Sequence, residues 1–227
     1  MTMIAGLICA DGLLMCSDRE ESGGPVKSST RKLFDISCGQ FQFAIATAGD
    51  AALCDKAVAA IETAARAATF AALHEEAIED LLREIHTTYI WAKDVPGHER
   101  GLELILASYD ASNQQAQLYR SCEEMLQPCR DFVVAGSGSD LASYFLERLF
   151  SRTMSLAEAE SLMTFIMREV KDSSEGCGRE SEMLALTTSG AARSLAGDAD
   201  LPRLAELLRP FWKGTAKPAG RKARVSK

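Results

Sequence analysis

The chain lacks any long apolar run. Its longest nearly uncharged stretch, 57–73, is dominated by alanine and broken by Glu62 and Arg66, so no membrane-spanning helix is expected. No basic segment precedes the apolar opening Met1-Thr2-Met3-Ile4-Ala5-Gly6, and Asp11 and Asp18 follow soon after. The opening does not read as a signal peptide, and a cytoplasmic protein is expected. Histidine is scarce: His74, His86 and His98 fall in or just after one expected helix, and His74-Glu75-Glu76 meets no second histidine at metalloprotease spacing. The seven cysteines, Cys9, Cys16, Cys38, Cys54, Cys122, Cys129 and Cys177, contain no Cys-x-x-Cys pair and no zinc-like spacing. Free, mostly buried thiols are expected, and neither a metal nor any other cofactor.

Positive charge is also short over most of the chain. The net charge is −7. Lys213, Lys217, Arg221, Lys222, Arg224 and Lys227 place +6 in a last stretch with no acidic residue, which leaves −13 on the remainder. Such a surface disfavours nucleic acid, and the basic stretch has no aromatic residues interleaved for base stacking. A nucleic-acid adaptor acting through that tail is the weakest reading of the sequence.

What the chain does have is enough apolar residue, 47% over 227 positions, for one well-cored domain. Residues 2–8 and 13–17 are apolar runs joined through Asp11-Gly12, a dipeptide that tolerates the positive φ of a tight hairpin turn. Residues 20–30, rich in Ser, Gly and charge, read as a loop before two further strands at 32–36 and 41–47. These four strands are expected to share one sheet.

Alanine-rich 50–68 and the 3.6-period pattern of 73–92 predict two helices. Residues 101–109, 115–120 and 132–135 predict strands of a second sheet. Helices are predicted over 140–150 and 156–170, the latter capped by Ser155 with Glu158 at capping-box spacing. A closing hairpin over 182–188 and 191–195 follows. Strands, two helices, strands, two helices and strands predict an α+β fold, a four-layer αββα sandwich with helices outside two packed sheets. The domain is expected to span 1–197, followed by a helix over 198–212 and a disordered basic tail over 213–227.

In order along this pattern lie Thr2-Met3-Ile4-Ala5-Gly6, Asp11-Gly12, Asp18-Arg19, Ser22-Gly23-Gly24, Arg31-Lys32-Leu33, Ala48-Gly49-Asp50, Gly136-Ser137-Gly138-Ser139 and Asp172-Ser173-Ser174-Glu175-Gly176. Together they resemble the β-type subunits of the proteasome family and their stand-alone bacterial relatives, which are N-terminal-nucleophile hydrolases. The first strand begins at once, without the N-terminal extension of α-type subunits. The sequence departs from the family in a shorter loop between Asp18 and Lys32, in Glu175 where a serine is usual, and in Cys177 where a glycine is usual.

The resemblance implies a catalytic set of Thr2, Asp18, Lys32, Gly49, Ser137 and Asp172. Thr2 is the nucleophile once Met1 is removed, with its own α-amine as base, because a hydroxyl is too weakly acidic to attack an amide unaided. Lys32 is the cation that lowers the pKa of amine and hydroxyl, and Asp18 is its counter-ion. Gly49 supplies an oxyanion N–H, while Ser137 and Asp172 orient the amine. The implied activity is that of a threonine-type endopeptidase or related amide hydrolase acting on a peptide or protein substrate as a homo-oligomer. A catalytically silent, proteasome-like ring subunit is the alternative, and the sequence names no ATPase partner.

Overall fold

Ala10 and Asp11 make the turn that folds β1 (Ile4–Cys9) back on β2 (Gly12–Asp18), pairing Ile4 with Ser17 and Cys9 with Gly12. The turn lies one residue before the expected Asp11-Gly12, and neither of those residues has a positive φ. Every residue of both strands is buried, so this hairpin lies at the centre of the molecule and not at its edge. The turn also positions a helix: the Asp11 carboxylate accepts the Leu156 N–H at 2.7 Å, satisfying a free donor at a helix start. These coordinates are a computed structural model, which describes residues 2–23, 26–38, 41–67, 75–91 and 101–195.

The chain continues through β3 (Glu20–Gly23), β4 (Val26–Ser29), β5 (Leu33–Cys38) and β6 (Phe41–Gly49). Next come α1 (Ala51–Ala67) and α2 (Glu75–Ile85), with a π-helical extension His86–Trp91. Strands β7 (Leu102–Asp110), β8 (Gln115–Cys122), β9 (Met125–Cys129) and β10 (Phe132–Ala135) follow. Helices α3 (Ser139–Leu149) and α4 (Leu156–Ser173) and strands β11 (Ser181–Thr187) and β12 (Gly190–Leu195) complete the described fold.

One antiparallel sheet has the order β10-β1-β2-β11-β12 and the other β5-β6-β7-β8-β9. Period-two alternation divides the side chains between layers. Met3, Ala5 and Leu7 pack outward with Met163, Met167 and Val170 of α4, whereas Ile4, Leu13 and Met15 pack inward with Leu33, Ile105 and Leu184. On the far side Ile45, Leu104 and Leu106 meet Ala57 of α1 and Leu82 of α2. Three apolar layers between four structural ones make the αββα sandwich. The capping box at Ser155 and Glu158 is present. No helix among the described residues is long and apolar enough to cross a membrane.

Strand partnership differs from the sequence expectation. The first four long strands do not share a sheet: β1 and β2 enter one, β5 and β6 the other. Apolar periodicity sets which face of a strand is buried but not its neighbour, and here the crossing lies at 19–32. That segment, expected as a loop, forms the two-stranded ribbon β3–β4. Likewise β10 leaves the β7–β9 meander to pair with β1, Ala135 opposite Ile4. The short β9, containing Pro128, was not anticipated. The helix and tail expected at 198–212 and 213–227 lie outside the described residues.

Arg193 ties the sheets together at their far edge. It donates to the Glu182 carboxylate, to Asp35 Oδ1 at 2.6 Å and to the Leu33 carbonyl at 3.3 Å, so β12 and β11 are joined to β5. Its hydrogen bond to Asp35 is the main cause that holds that carboxyl below the ordinary carboxylate range. The folded pKa lies below the unfolded one, so this contribution is fully present above the unfolded value near ~4 and is lost as pH falls through the folded value. Glu182 is only 4% exposed. Arg193→Ala strands that buried charge and is expected to lower Tm by roughly 5–10 °C. Adding Glu182→Gln should recover part of the loss; thermal melts at neutral pH check both.

Candidate active site

The β1–β2 ladder continues one pair beyond β1, where Asp18 donates its N–H to the Met3 carbonyl at 3.1 Å. Thr2 therefore leaves the sheet beside Asp18, and register alone brings the two together across sixteen positions of sequence. Asp18 is fully buried, an arrangement that needs compensation. Its Oδ1 accepts the Met3 N–H and the Lys32 ammonium, both at 2.9 Å. Its Oδ2 accepts N–H groups from Glu20 at 3.1 Å and Gly178 at 3.2 Å.

Lys32, 5% exposed, stands just before β5. Its ammonium donates to Asp18, to the Glu20 carbonyl and to Thr2 Oγ1, the last at 2.7 Å. An ammonium has three protons, and all three are directed. The cation is thus fixed against the hydroxyl of a residue that is itself 7% exposed.

The turn between β10 and α3 supplies the other side. Ser137 Oγ accepts the Thr2 N–H at 3.1 Å and donates to the Thr2 carbonyl at 3.3 Å, which also accepts the Gly138 N–H at 3.3 Å. Gly138, not Ser137, caps α3, so the Ser137 hydroxyl faces Thr2 rather than the helix. Gly136 has φ +87°, and a Cβ there would stand 2.3 Å from the Thr2 carbonyl oxygen. Only glycine permits this approach.

Gly49 ends β6 with φ +116°, and a Cβ would lie 2.0 Å from the Gly101 carbonyl oxygen. Two residues earlier Thr47 donates its N–H to the Lys32 carbonyl at 3.0 Å. Strand alternation sends the Gly49 N–H toward the same edge, past the start of β5.

Five of the six expected residues, Thr2, Asp18, Lys32, Gly49 and Ser137, come to this one end of the sandwich. Asp172 does not join them. Helix α4 runs on to Ser173 with Val170 as its last buried residue, and Asp172, about 200° further round the helix, is exposed and makes no hydrogen bond to Thr2. Glu175 is exposed as well, and only its backbone carbonyl is engaged, by Lys27 at 3.0 Å. Cys177 is buried with its Sγ 4.0 Å from Ser137 Oγ. Burial first, and Asp18 second, push its thiol pKa up, so it is a poor rival to Thr2 as nucleophile.

Sequence reading passed over Glu20. It lies two residues beyond Asp18, its carbonyl holds Lys32, and its buried carboxylate pairs with Lys27 at 2.7 Å. The same carboxylate fills the space where any side chain at Gly178 would go.

Solved structures of three Anbu proteins share this fold. Anbu from Hyphomicrobium sp. strain MC1 is 15% identical, with TM-score 0.72 over 93% of this chain and 94% of that one. The protein described as a helical assembly of the Anbu complex from Pseudomonas aeruginosa is 16% identical, with TM-score 0.75 over 98% and 100%. Anbu, the ancestral beta-subunit, from Yersinia bercovieri is 16% identical, with TM-score 0.74 over 98% and 100%. Identities this low carry the fold alone. Comparison with curated protein sequences gives no match. The proteasome subunit family model matches residues 2–185, which takes in the sandwich through most of β11, and the chain belongs to that family.

Proposed function

We propose that this chain is a threonine-type hydrolase that cuts peptide bonds through an acyl-enzyme on Thr2. The observation that carries the reading is the Lys32 ammonium, buried, bound to Asp18 and 2.7 Å from Thr2 Oγ1. A cation at that distance stabilises a developing alkoxide, and more strongly in a dry site than in water.

While a residue precedes Thr2 its nitrogen is an amide and not a base. Once that residue is removed the nitrogen becomes an α-amine, which titrates near ~7.7–8.0 and is partly free base at neutral pH. The amine, held by Ser137, takes the hydroxyl proton as Oγ1 attacks the substrate carbonyl carbon. The Gly49 N–H receives the oxyanion of the tetrahedral intermediate. Collapse breaks the C–N bond, and the α-ammonium returns its proton to the departing amine. Water, deprotonated by the same amine, then hydrolyses the ester and restores Thr2.

The test is to treat the processed protein with an electrophile selective for N-terminal threonine and to map the adduct by mass spectrometry. The adduct is expected on Thr2. A processed Thr2 that stays unmodified would favour the catalytically silent subunit. We also propose a homo-oligomer, supported by the assembly described for the Pseudomonas aeruginosa relative and by Trp91, Met125 and Tyr144, each at least half exposed. Light scattering should return a mass several times that of one chain; a strictly monomeric mass at high concentration overturns this part.

A further inference from the structure

Among the described residues, sheet β10-β1-β2-β11-β12 ends at β10, whose outer edge has no strand partner. Gly136 follows directly, and its N–H finds no acceptor in its own sheet. It donates instead to Glu103 Oε2 of β7, in the opposite sheet, at 3.2 Å. The same oxygen also accepts from the Arg120 guanidinium at 3.3 Å, a partly exposed ion pair from the neighbouring strand β8.

Glu103 has a second attachment to the site. Its backbone is paired with Ala48, one residue before Gly49, and Leu102 is paired with Gly49 itself. The main chain of β7 therefore holds the turn that offers the oxyanion N–H, while the side chain of the same strand holds the turn that carries Ser137. Ala48 also packs close to Gly136, whose Cβ would lie 3.5 Å from that of Ala48.

We infer that Glu103 is a positioning residue which sets the separation between the Gly49 turn and the Ser137 turn, and so the placement of the Thr2 amine relative to the oxyanion donor. This rests on the proposed Thr2 chemistry. The carboxylate acts through Gly136, since the hydrogen bonds reaching Thr2 come from Ser137, Gly138 and Lys32. An edge amide without its acceptor lets the glycine turn relax, and a displacement of about 1 Å at a catalytic group can cost on the order of 10²-fold in rate. A glutamine keeps an acceptor oxygen at the same reach, whereas alanine removes it.

The experiment uses the full processed chain and the threonine-selective electrophile. Wild type, Glu103→Ala and Glu103→Gln are compared for reversible affinity and for the maximal rate of covalent capture, alongside amide exchange at Gly136. Glu103→Ala is expected to slow capture by about 10²-fold with its affinity unchanged, and to speed exchange at Gly136. Glu103→Gln should restore most of the rate and the protection. Capture by Glu103→Ala at the wild-type rate, or unchanged exchange at Gly136, overturns the inference while leaving Thr2 as nucleophile. A wild type that is not captured at all overturns the Thr2 reading itself, and the positioning role with it. A fall in melting temperature with rate and affinity reduced together would assign Glu103 to scaffolding, against the proposal.

Discussion

Thr2→Ala is expected to abolish peptide hydrolysis, a loss on the order of 10⁶ in kcat when a nucleophile is deleted. The fold should survive the change. Lys32 still donates to Asp18 and to the Glu20 carbonyl, so the ammonium is not stranded. The Thr2 backbone bonds to Ser137 and Gly138 need no side chain. The stability cost is then about that of one hydrogen bond, ~1 kcal/mol. Thr2→Ser keeps the hydroxyl but gives up the γ-methyl that restricts χ1, and a side chain with three open rotamers spends less time against Lys32. It should stay within about tenfold of wild type. Hydrolysis of a fluorogenic peptide by the three processed proteins decides it. Activity in Thr2→Ala equal to wild type would place the nucleophile elsewhere.

Lys32→Ala has the second largest expected effect, about 10³-fold in kcat, because it removes the charge placed against the reacting oxygen. Here a structural loss must be separated from a chemical one. Asp18 is fully buried and loses its counter-ion, although the N–H groups of Met3, Glu20 and Gly178 remain. Breaking a buried pair by removing one partner costs about 3–5 kcal/mol. In a chain of this length that corresponds to a fall in Tm of roughly 6–20 °C. Rates should therefore be measured well below the melting range of both proteins. Lys32→Met, which fills the same volume without charge, is the control for packing. A rate that falls only in proportion to the unfolded fraction would reduce Lys32 to a structural ion.

Much of the site could be read from the sequence because much of it is set by register. The two-residue turn Ala10-Asp11 fixes every pairing of β1 with β2, and with it the meeting of Thr2 and Asp18; the Asp11-Gly12 dipeptide marks the hairpin but sits one residue too late to give this register. Gly49 and Ser137 sit where a strand ends in a glycine turn, a local signal. Lys32 carried no such signal, since one lysine among polar residues looks like any surface cation; only the family resemblance singled it out. Asp172 was misplaced for a geometric reason: the helix continues past the last predicted residue, and its phase turns that carboxylate to solvent. Glu103 was invisible because its partner is a backbone N–H in the other sheet, 33 residues away. Sheet membership was illegible for the same reason. Alternation assigns faces, and nothing in β1, β2, β5 or β6 says which neighbour each will take.

The four outer strands described above also bear on how copies of this chain can meet. An unpaired strand edge invites another chain to add a strand of its own. Here β10 has only four residues, and β9 contains Pro128, which has no N–H to offer. The remaining edges carry charge: Asp35 on β5 and Arg193 on β12, bonded to each other. These features disfavour growth by strand addition, the route to fibrillar aggregates, at the described margins of both sheets. Contacts between copies are left to the helical layers and the loops, where they can saturate in a defined assembly rather than propagate through hydrogen-bonded backbone.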